Sequence, residues 1–442
     1  MSSLEMFKAF MADAEAWDMY ITGPAGTGKT TECGDILRYC HEAGLEAIVC
    51  AYTHKACGIL RSKLPAGTEV TTLHSYLKKR PTINVNASSK NHLTSSAQAG
   101  EPDKIKLIII DEYSMIGEKD YLDLRALQDE DYDGNAEVKI LWLGDPFQLP
   151  PVQDQQAVIP SGEYCLRLTV QRRRTEDNPL GVAIQQLISY IDNPKAQWSA
   201  LPQSAQFVRG QDIAKAYAED TETDKVILCY TNKAVQANNI FAEGRAFPVH
   251  NDKLFCPSTQ KYYTFLGNIG RNELAMIDKP FGEPLMFGTK YKTLEYLVKM
   301  PDIEFAEFED EDGNVVTLAY IFGHYDYKLM KDSYSDQAAK SNSAIEREFK
   351  GYKPAAWAKA NDKHPLARAR SKAWRDFLTF DECVHCIDFS HAMTVHKSQG
   401  STFKHVYVDT QDLGQLVNQN PKMYLRLMYV ALSRASGKVI TN

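Results

Sequence analysis

The stretch Gly23-Pro24-Ala25-Gly26-Thr27-Gly28-Lys29-Thr30 decides the fold. It matches G-x-x-x-x-G-K-[ST] at every fixed position. It stands between a short β-rich run at residues 19–21 and a stretch at residues 30–41 with Ile36, Leu37 and Cys40 at helical spacing. Strand, glycine-rich turn and helix in that order make a phosphate-binding loop. The glycines let backbone N–H groups approach phosphate oxygens, and the helix N-terminus adds partial positive charge. Gly23, Pro24, Ala25, Gly26, Thr27, Gly28, Lys29, Thr30 and Thr31 are therefore the candidate nucleotide-binding residues. Lys29 is expected at the β- and γ-phosphates, and the Thr30 hydroxyl on Mg²⁺.

Two strand ends extend the site. Leu107–Ile110 is four apolar residues in a row, the pattern of a strand buried on both faces, and it runs into Asp111-Glu112. A carboxylate at such a strand end can hold Mg²⁺, and the next can orient the attacking water, which makes Asp111 a metal ligand and Glu112 catalytic. Residues 140–143 read as another strand, ending in Gly144-Asp145-Pro146-Phe147-Gln148, where Gln148 can sense the γ-phosphate or the water. Kinases, GTPases, transporter ATPases and helicases all use such a loop, so it establishes nucleotide use alone. The guanine-reading N-K-x-D is missing where it would be expected, because Thr231-Asn232-Lys233-Ala234 lacks the Asp. A GTPase is disfavoured.

The chain has 442 residues, 44% hydrophobic and 24% charged, which suits two or three globular domains. No apolar run reaches the roughly 18 residues needed to cross a bilayer. The first sixteen residues lack a basic n-region, so an intracellular, reducing location is expected, away from membranes. Nine cysteines form no disulfide framework. The net charge of −7 excludes a protein basic all over, but not a local nucleic-acid groove.

Alternating strand and helix patterns continue at 47–51, and return at 226–230, 233–242, 406–409 and 423–432. Residues 78–102 are rich in Ser, Asn, Ala and Lys without an aromatic, and read as a polar excursion, a hairpin or loop. Residues 294–299, 303–309 and 315–320 read as strands, with a turn at Asp312-Gly313-Asn314, and 339–378 as helical. The fold class is therefore α/β, two α/β domains with a β-rich insertion in the second.

Further segments carry a resemblance. They are Ala51-Tyr52-Thr53-His54-Lys55-Ala56, Thr72-Leu73-His74-Ser75, Asp111-Glu112, Gly144 to Pro151, Leu168 to Arg173 with Thr175-Glu176-Asp177-Asn178-Pro179, Tyr230-Thr231-Asn232-Lys233, Thr394 to Phe403, and Tyr429 to Ala435. In this order they resemble motifs Ia to VI of the superfamily 1 helicases, most closely the RecD/Dda branch of superfamily 1B. The resemblance implies two RecA-like P-loop domains with ATP in the cleft between them, 5′→3′ translocation on single-stranded DNA, and duplex unwinding in replication or recombination. It divides the chain into domain 1A (1–77 and 104–160), a pin-like insertion 1B (78–103), domain 2A (161–246 and 381–442) and an inserted domain 2B (247–380), for which an SH3-like fold is one candidate.

The same resemblance assigns arginine fingers to Arg173 and Arg434, adds Gly400 to the nucleotide-binding residues, and implies ATP and Mg²⁺ as cofactors. Thr53, His54, Lys55, Thr72 and His74 would grip DNA on one side, and Thr231, Asn232, Thr394, His396 and Lys397 on the other. Short hydroxyl and amide side chains suit sugar-phosphate contacts with little sequence preference. The implied partners are single-stranded DNA and duplex junctions, with a single-strand-binding protein or replisome component as a candidate; the phage-like members suggest a bacterial host cytoplasm. No Gln precedes the phosphate loop to read adenine. Two other readings stay open: a DNA-binding accessory module with a decayed ATP site, and an RNA helicase of the same superfamily.

Weaker patterns complete the reading. Phe7, Phe10, Met11, Ala14 and Trp17 share a helical face that points to the core. Residues 340–375 hold ten Lys/Arg against three acidic residues, interleaved with Phe349, Tyr352, Trp357 and Trp374, either a DNA-tracking face or a solvated helix with inward aromatics. Residues 302–312 carry seven acidic residues, a solvated hairpin or a DNA-repelling face. Cys383-Val384-His385-Cys386 has no second pair at zinc-finger spacing and reads as structural.

Overall fold

The computed structural model describes residues 2–52, 54–77, 79–82, 92–95, 107–129, 138–151, 156–170, 172, 179–193, 197–257, 259, 261–274 and 297–442. Helix α1 (Ser3–Ala12) opens with a capping box between Ser2 and Glu5 and buries Phe7 and Phe10. It stops at Asp13, so Ala14 and Trp17 lie beyond it, and Trp17 is 37% exposed rather than on a core-facing stripe. Then come β1 (Asp18–Thr22), α2 (Lys29–Ala43), β2 (Ala47–Ala51), α3 (His54–Lys63), β3 (Glu69–Thr72) and the one-turn α4 (Leu73–Tyr76). Strands β4 (Lys79–Thr82) and β5 (His92–Ser95) pair antiparallel, so the polar excursion contains a hairpin; its other residues lie outside those described.

Strands β6 (Leu107–Ile110) and β7 (Lys139–Gly144), with helix α5 (Glu118–Asp129) between them, complete the centre of the first sheet. The strand order is β3-β2-β6-β7-β1-β8, all parallel, where β8 is Cys165–Arg167. Both central strands are buried throughout, as their apolar runs require. Phe7, Phe10, Ile36 and Leu60 pack on one face, and Tyr113, Ile116, Leu124 and Trp142 on the other. The pairing of Cys165 with Tyr20 corrects the domain boundary: the first sheet extends past residue 160.

The second sheet starts after α6 (Pro179–Asp192) with β9 (Phe207–Val208), α7 (Ile213–Glu219), β10 (Lys225–Cys229) and α8 (Asn232–Glu243). The chain then leaves it for β11 (Lys253–Cys256), β12 (Lys261–Asn268), β13 (Glu304–Glu309) and β14 (Val315–Phe322). These four are antiparallel neighbours, and β15 (Val384–Ile387) adds parallel to β14. A bridge between Phe255 and Asp388 joins the two edges, closing the sheet into a small barrel around Leu254, Phe265, Phe308, Tyr320 and Ile387. The insertion therefore runs past residue 380, because β15 belongs to the barrel.

Of the strand expected at 294–299, residues 294–296 lie outside those described, while 297 is a helix end and 298–299 a turn; Leu297 and Met300 pack under the barrel with Phe305 and Phe380. The expected single helical region is three helices: α9 (His324–Glu348), α10 (Pro354–Ala360) and α11 (Pro365–Cys383). The first helix stops at Glu348, Gly351 at φ +92° lies in the turn that follows, and Pro354 and Pro365 start the next two helices at positions where a missing N–H costs nothing. The chain returns through β16 (Ala392–Thr394), β17 (Phe403–Val408), α12 (Pro421–Ser433) and β18 (Ala435–Thr441). The second sheet has the order β16-β10-β17-β18-β9, again all parallel. Its core packs α6 against α12, and Phe147 and Leu149 of the first domain are buried in that same cluster.

Candidate nucleotide cleft

The ends of β1, β6 and β7 are neighbours in the first sheet, and parallel strands put all three C-terminal ends on one edge. The phosphate loop, Asp111-Glu112 and Gly144–Gln148 therefore meet, as ligand sites of open α/β sheets do. The second domain faces them across a cleft of about 580 Å³. Gly26, Lys29, Thr30, Asp111, Glu112 and Gln148 line one wall; Gly400, Thr402 and Arg434 line the other.

The loop needs its glycines. Gly28 has φ +97°, and a Cβ there would meet the Arg172 side chain at 3.0 Å. Lys29 Nζ donates to Gly23 O at 2.6 Å and to Pro24 O at 3.0 Å. Burial pushes its pKa down, while Asp145, Asp111 and Glu112 act the other way. Burial pushes Asp111 up, and Lys29 opposes that. Glu112 is pushed up to about 7, first by burial and then by the Asp111 carboxylate. It also sits at φ +58°, a left-handed conformation unusual for a side chain of this length, which aims it from the strand end into the cleft.

Arg434 is 4% exposed. Its guanidinium donates to Ser433 Oγ at 2.9 Å, Val430 O at 3.3 Å and Ser401 O at 3.3 Å, which fixes its direction. Burial lowers its pKa, and the Glu112 carboxylate opposes that most strongly. Gly400 comes close enough that a Cβ would lie 3.6 Å from Glu112 Oε1. Gln148 is buried, and its Oε1 accepts from Gln399 Nε2 at 3.4 Å. Each of these cross-cleft contacts joins a first-domain group to the segment 399–434.

Three residues of this site escaped the sequence reading. Arg172 donates its N–H to Gly26 O at 2.8 Å, and its guanidinium pairs with Glu32 Oε1 at 3.0 Å. Arg173, expected as the finger of that run, lies outside the described residues. From α12, Arg426 donates to Gln148 O, and the Tyr429 hydroxyl contacts both Ala25 and Asp145. Arg172 was visible as one of three consecutive arginines, and Tyr429 as the first residue of the Tyr429–Ala435 segment, though the segment gave its hydroxyl no role.

The expected DNA contacts sit mostly at the C-terminal ends of strands. Thr72 caps α4, accepting from Ser75 N at 3.2 Å, and Thr231 caps α8, accepting from Ala234 N at 3.1 Å. Thr231 also donates to Asp412 Oδ1 at 2.9 Å. Asn232 is the first residue of α8. His74 Nε2 lies 3.5 Å from Asp120, with its ring edge-on to Tyr52. Thr394 accepts from Lys397 N at 3.3 Å, and burial lowers the pKa of His396. Lys397 Nζ lies 3.3 Å from His324 Nε2, the first residue of α9 in the insertion. Thr53 and the side chains of His54 and Lys55 lie outside those described.

In the basic stretch, Phe349 stacks on buried Trp357 with centroids 4.2 Å apart, and Trp374 donates to Asn342 Oδ1 at 3.2 Å. These aromatics serve the helical packing; Tyr352, 64% exposed, faces solvent. Cys383 and Cys386 are buried, and burial raises both thiols. Among the described residues, no three of His, Cys, Asp or Glu form a group that could hold a metal ion.

A family described as AAA domain matches residues 8–154, and the UvrD-like helicase C-terminal domain matches residues 389–440. Those two matches cover the two walls of the cleft. The chain is an ATP-dependent DNA helicase, similar to the superfamily 1B helicases of the RecD/Dda type. This helicase is 24% identical to the ATP-dependent DNA helicase dda of Enterobacteria phage T4 over 440 residues, covering 94% of this chain and 92% of that one. It is 30% identical to the ATP-dependent RecD2 DNA helicase of Deinococcus radiodurans over 162 residues, 36% of this chain and 20% of that one. An uncharacterized protein, R530 of Acanthamoeba polyphaga mimivirus, is 23% identical over 95% of this helicase and 94% of its own length. A solved structure of Bacteroides Pif1 bound to single-stranded DNA aligns over 100% of this chain and 92% of its own, with a TM-score of 0.47 and 16% identity. No helix among the described residues is long and apolar enough to cross a membrane.

Proposed function

We propose that this helicase hydrolyses ATP in the cleft between its two sheets and uses the opening and closing of that cleft to move 5′→3′ along single-stranded DNA, displacing the paired strand. One observation carries the coupling: Glu112 of the first domain is faced by Arg434 and Gly400 of the second. Hydrolysis therefore depends on how the domains meet. The similarity to the ATP-dependent DNA helicase of phage T4 supports DNA as the substrate, and the polarity is what the resemblance of the motifs implies.

In this reading the phosphate-loop amides and Lys29 hold the triphosphate. The Thr30 hydroxyl and the Asp111 carboxylate supply hard oxygen donors in one cleft, a donor set that fits Mg²⁺. When bound, Mg²⁺ neutralises phosphate charge. Glu112 and Gln148 orient the attacking water. Glu112, whose burial beside Asp111 raises its proton affinity above that of an ordinary carboxylate, can take its proton. Arg434, or Arg173 with it, offsets the charge spreading over the γ-phosphoryl, an effect of roughly 10³–10⁵ in rate. Because Arg434 is already tied to Ser401 and Ser433, little reorganisation is needed when the charge develops. The ordered cleft with Lys29, Glu112 and Arg434 in place favours this over an accessory module with a decayed site.

Strand displacement tests the proposal, on two otherwise identical DNA duplexes carrying a 5′ or a 3′ single-stranded tail, with Glu112→Gln as the inactive control. Unwinding from the 5′ tail alone is expected. Unwinding from the 3′ tail alone overturns the polarity. ATP turnover without unwinding from either tail leaves a translocase that does not separate strands. A matched RNA duplex unwound faster than the DNA overturns the substrate.

A further inference from the structure

Helix α12 turns one face toward the first domain. Arg426 and Tyr429, three residues apart, are neighbours on that face. Tyr429 is fully buried, and its ring meets Phe147 with centroids 6.0 Å apart at 67°. The hydroxyl accepts the Ala25 N–H of the phosphate loop at 3.1 Å and donates to the Asp145 carboxylate. Asp145 is itself 1% exposed, and its other oxygen accepts the Phe147 N–H at 3.0 Å. Arg426 donates to the carbonyl of Gln148, two residues beyond Pro146 in the same turn.

We propose that Tyr429 is a positioning residue through which the second domain senses the phosphate loop and passes that state to the Asp145–Gln148 turn and to Arg434. The proposal rests on the reading above of a DNA-driven ATPase. A buried hydroxyl has one proton to give, and here it goes to Asp145 while a lone pair takes the loop amide. A shift of the loop at Ala25 breaks one of these bonds or pulls the tyrosine along, and leaving either partner unpaired in this dry site is costly. Tyr429 moves with α12, and α12 ends at Arg434. Asp145 moves with the turn that carries Gln148. The finger and the water-orienting amide are thus tied to one hydroxyl, which itself touches none of the reacting atoms.

Tyr429→Phe removes the hydroxyl and keeps the ring. ATP turnover would be measured against ATP concentration, with and without saturating single-stranded DNA. The expected result is a fall of about tenfold in DNA-stimulated kcat with KM for ATP changed less than about threefold, because the lost contact acts on the coupling rather than on ground-state binding. Asp145→Asn and the double variant complete the cycle. If Tyr429 acts through Asp145, the double variant is no slower than the slower single one to within about twofold. A purely packing role would lower Tm and leave the stimulation by DNA at the wild-type ratio. Wild-type stimulation in Tyr429→Phe, or losses that multiply in the double variant, overturns the proposal. A wild-type enzyme not stimulated by DNA at all overturns the DNA-motor reading itself, a separate and distinguishable result.

Discussion

The cleft and the strand ends expected to grip DNA are built on opposite terms. In the cleft, ionisable groups are buried against one another, Lys29 with Asp111 and Asp145, Glu112 with Arg434, and their proton affinities are displaced accordingly. Lys29 and Arg434 also bond backbone carbonyls, at Gly23 and Val430, but neither closes a helix start. At the strand ends the reverse holds: Thr72 and Thr231 each close a helix start. A site that does chemistry on phosphate must hold charge ready in a dry place. A site that slides along a sugar-phosphate chain can use hydroxyls that also serve the fold. Substitutions should therefore separate activity from stability in the cleft and mix the two at the strand ends.

The sharpest way to break this contrast is Lys29→Ala. It should lower DNA-stimulated ATP turnover by on the order of 10³ or more, while single-stranded DNA binding, followed by fluorescence anisotropy, persists. Arg434→Ala should cost roughly 10³ in kcat with ATP binding largely kept, measured by turnover and by a fluorescent nucleotide. If either variant merely unfolds, as thermal melting would show, the cleft is no more separable than the strand ends. Next comes Thr231→Ala, which should lose about 1 kcal/mol of stability from the missing cap and also weaken DNA binding; Thr231→Ser should restore both. Lys397→Ala should leave the fold intact and reduce the dependence of log K on log[salt] by about 1, the sign of one lost phosphate contact.

The smallest effect concerns pH. His324 is held down to about 4, mainly by burial, with Lys397 and Lys328 adding to it. Its folded pKa lies below the unfolded one, so it takes stability away as pH falls from about 6.5 toward 4. Asp388 is pushed up to about 6 by burial, so it adds stability over the same fall. The two oppose each other in one window. His324→Asn should raise Tm at pH 4.5 relative to its effect at pH 6.5; an equal shift at both values sinks the assignment.

The phosphate loop and the apolar run at residues 107–110 were legible because each signal is local: a spacing that only a loop satisfies, and four apolar residues flanked by polar ones. The strand ends Asp111 and Gln148 followed from the same runs. Other features depend on distant pairing. Cys165-Leu166-Arg167 has no periodicity, and only its ladder with Tyr20–Thr22 makes it a strand of the first sheet. Residues 384–387 stand next to the Thr394–Phe403 segment in sequence, yet pair with β14 in the barrel. Tyr429 opens the Tyr429–Ala435 segment, yet the role of its hydroxyl was hidden, because partners 284 and 404 residues away leave no trace in spacing. Gly351, Pro354 and Pro365 mark the interruptions between the three helices in the sequence itself, within the stretch 339–378 that reads as one helical region.

The barrel's closing bridge has a wider consequence. Phe255 stands near the beginning of the inserted chain and Asp388 at its end, and the two exchange backbone hydrogen bonds at 2.9 and 3.1 Å. The two strands that leave and re-enter the second sheet are thus clasped by one residue pair, beside which α9 rests on α8 through Gln236 and Asp326. Whatever is hung from such a clasp need not disturb the frame around it. The same clasp keeps the module informed: Ala392 lies four residues past Asp388, so a pull on the barrel arrives at the Thr394–Phe403 segment with almost no slack.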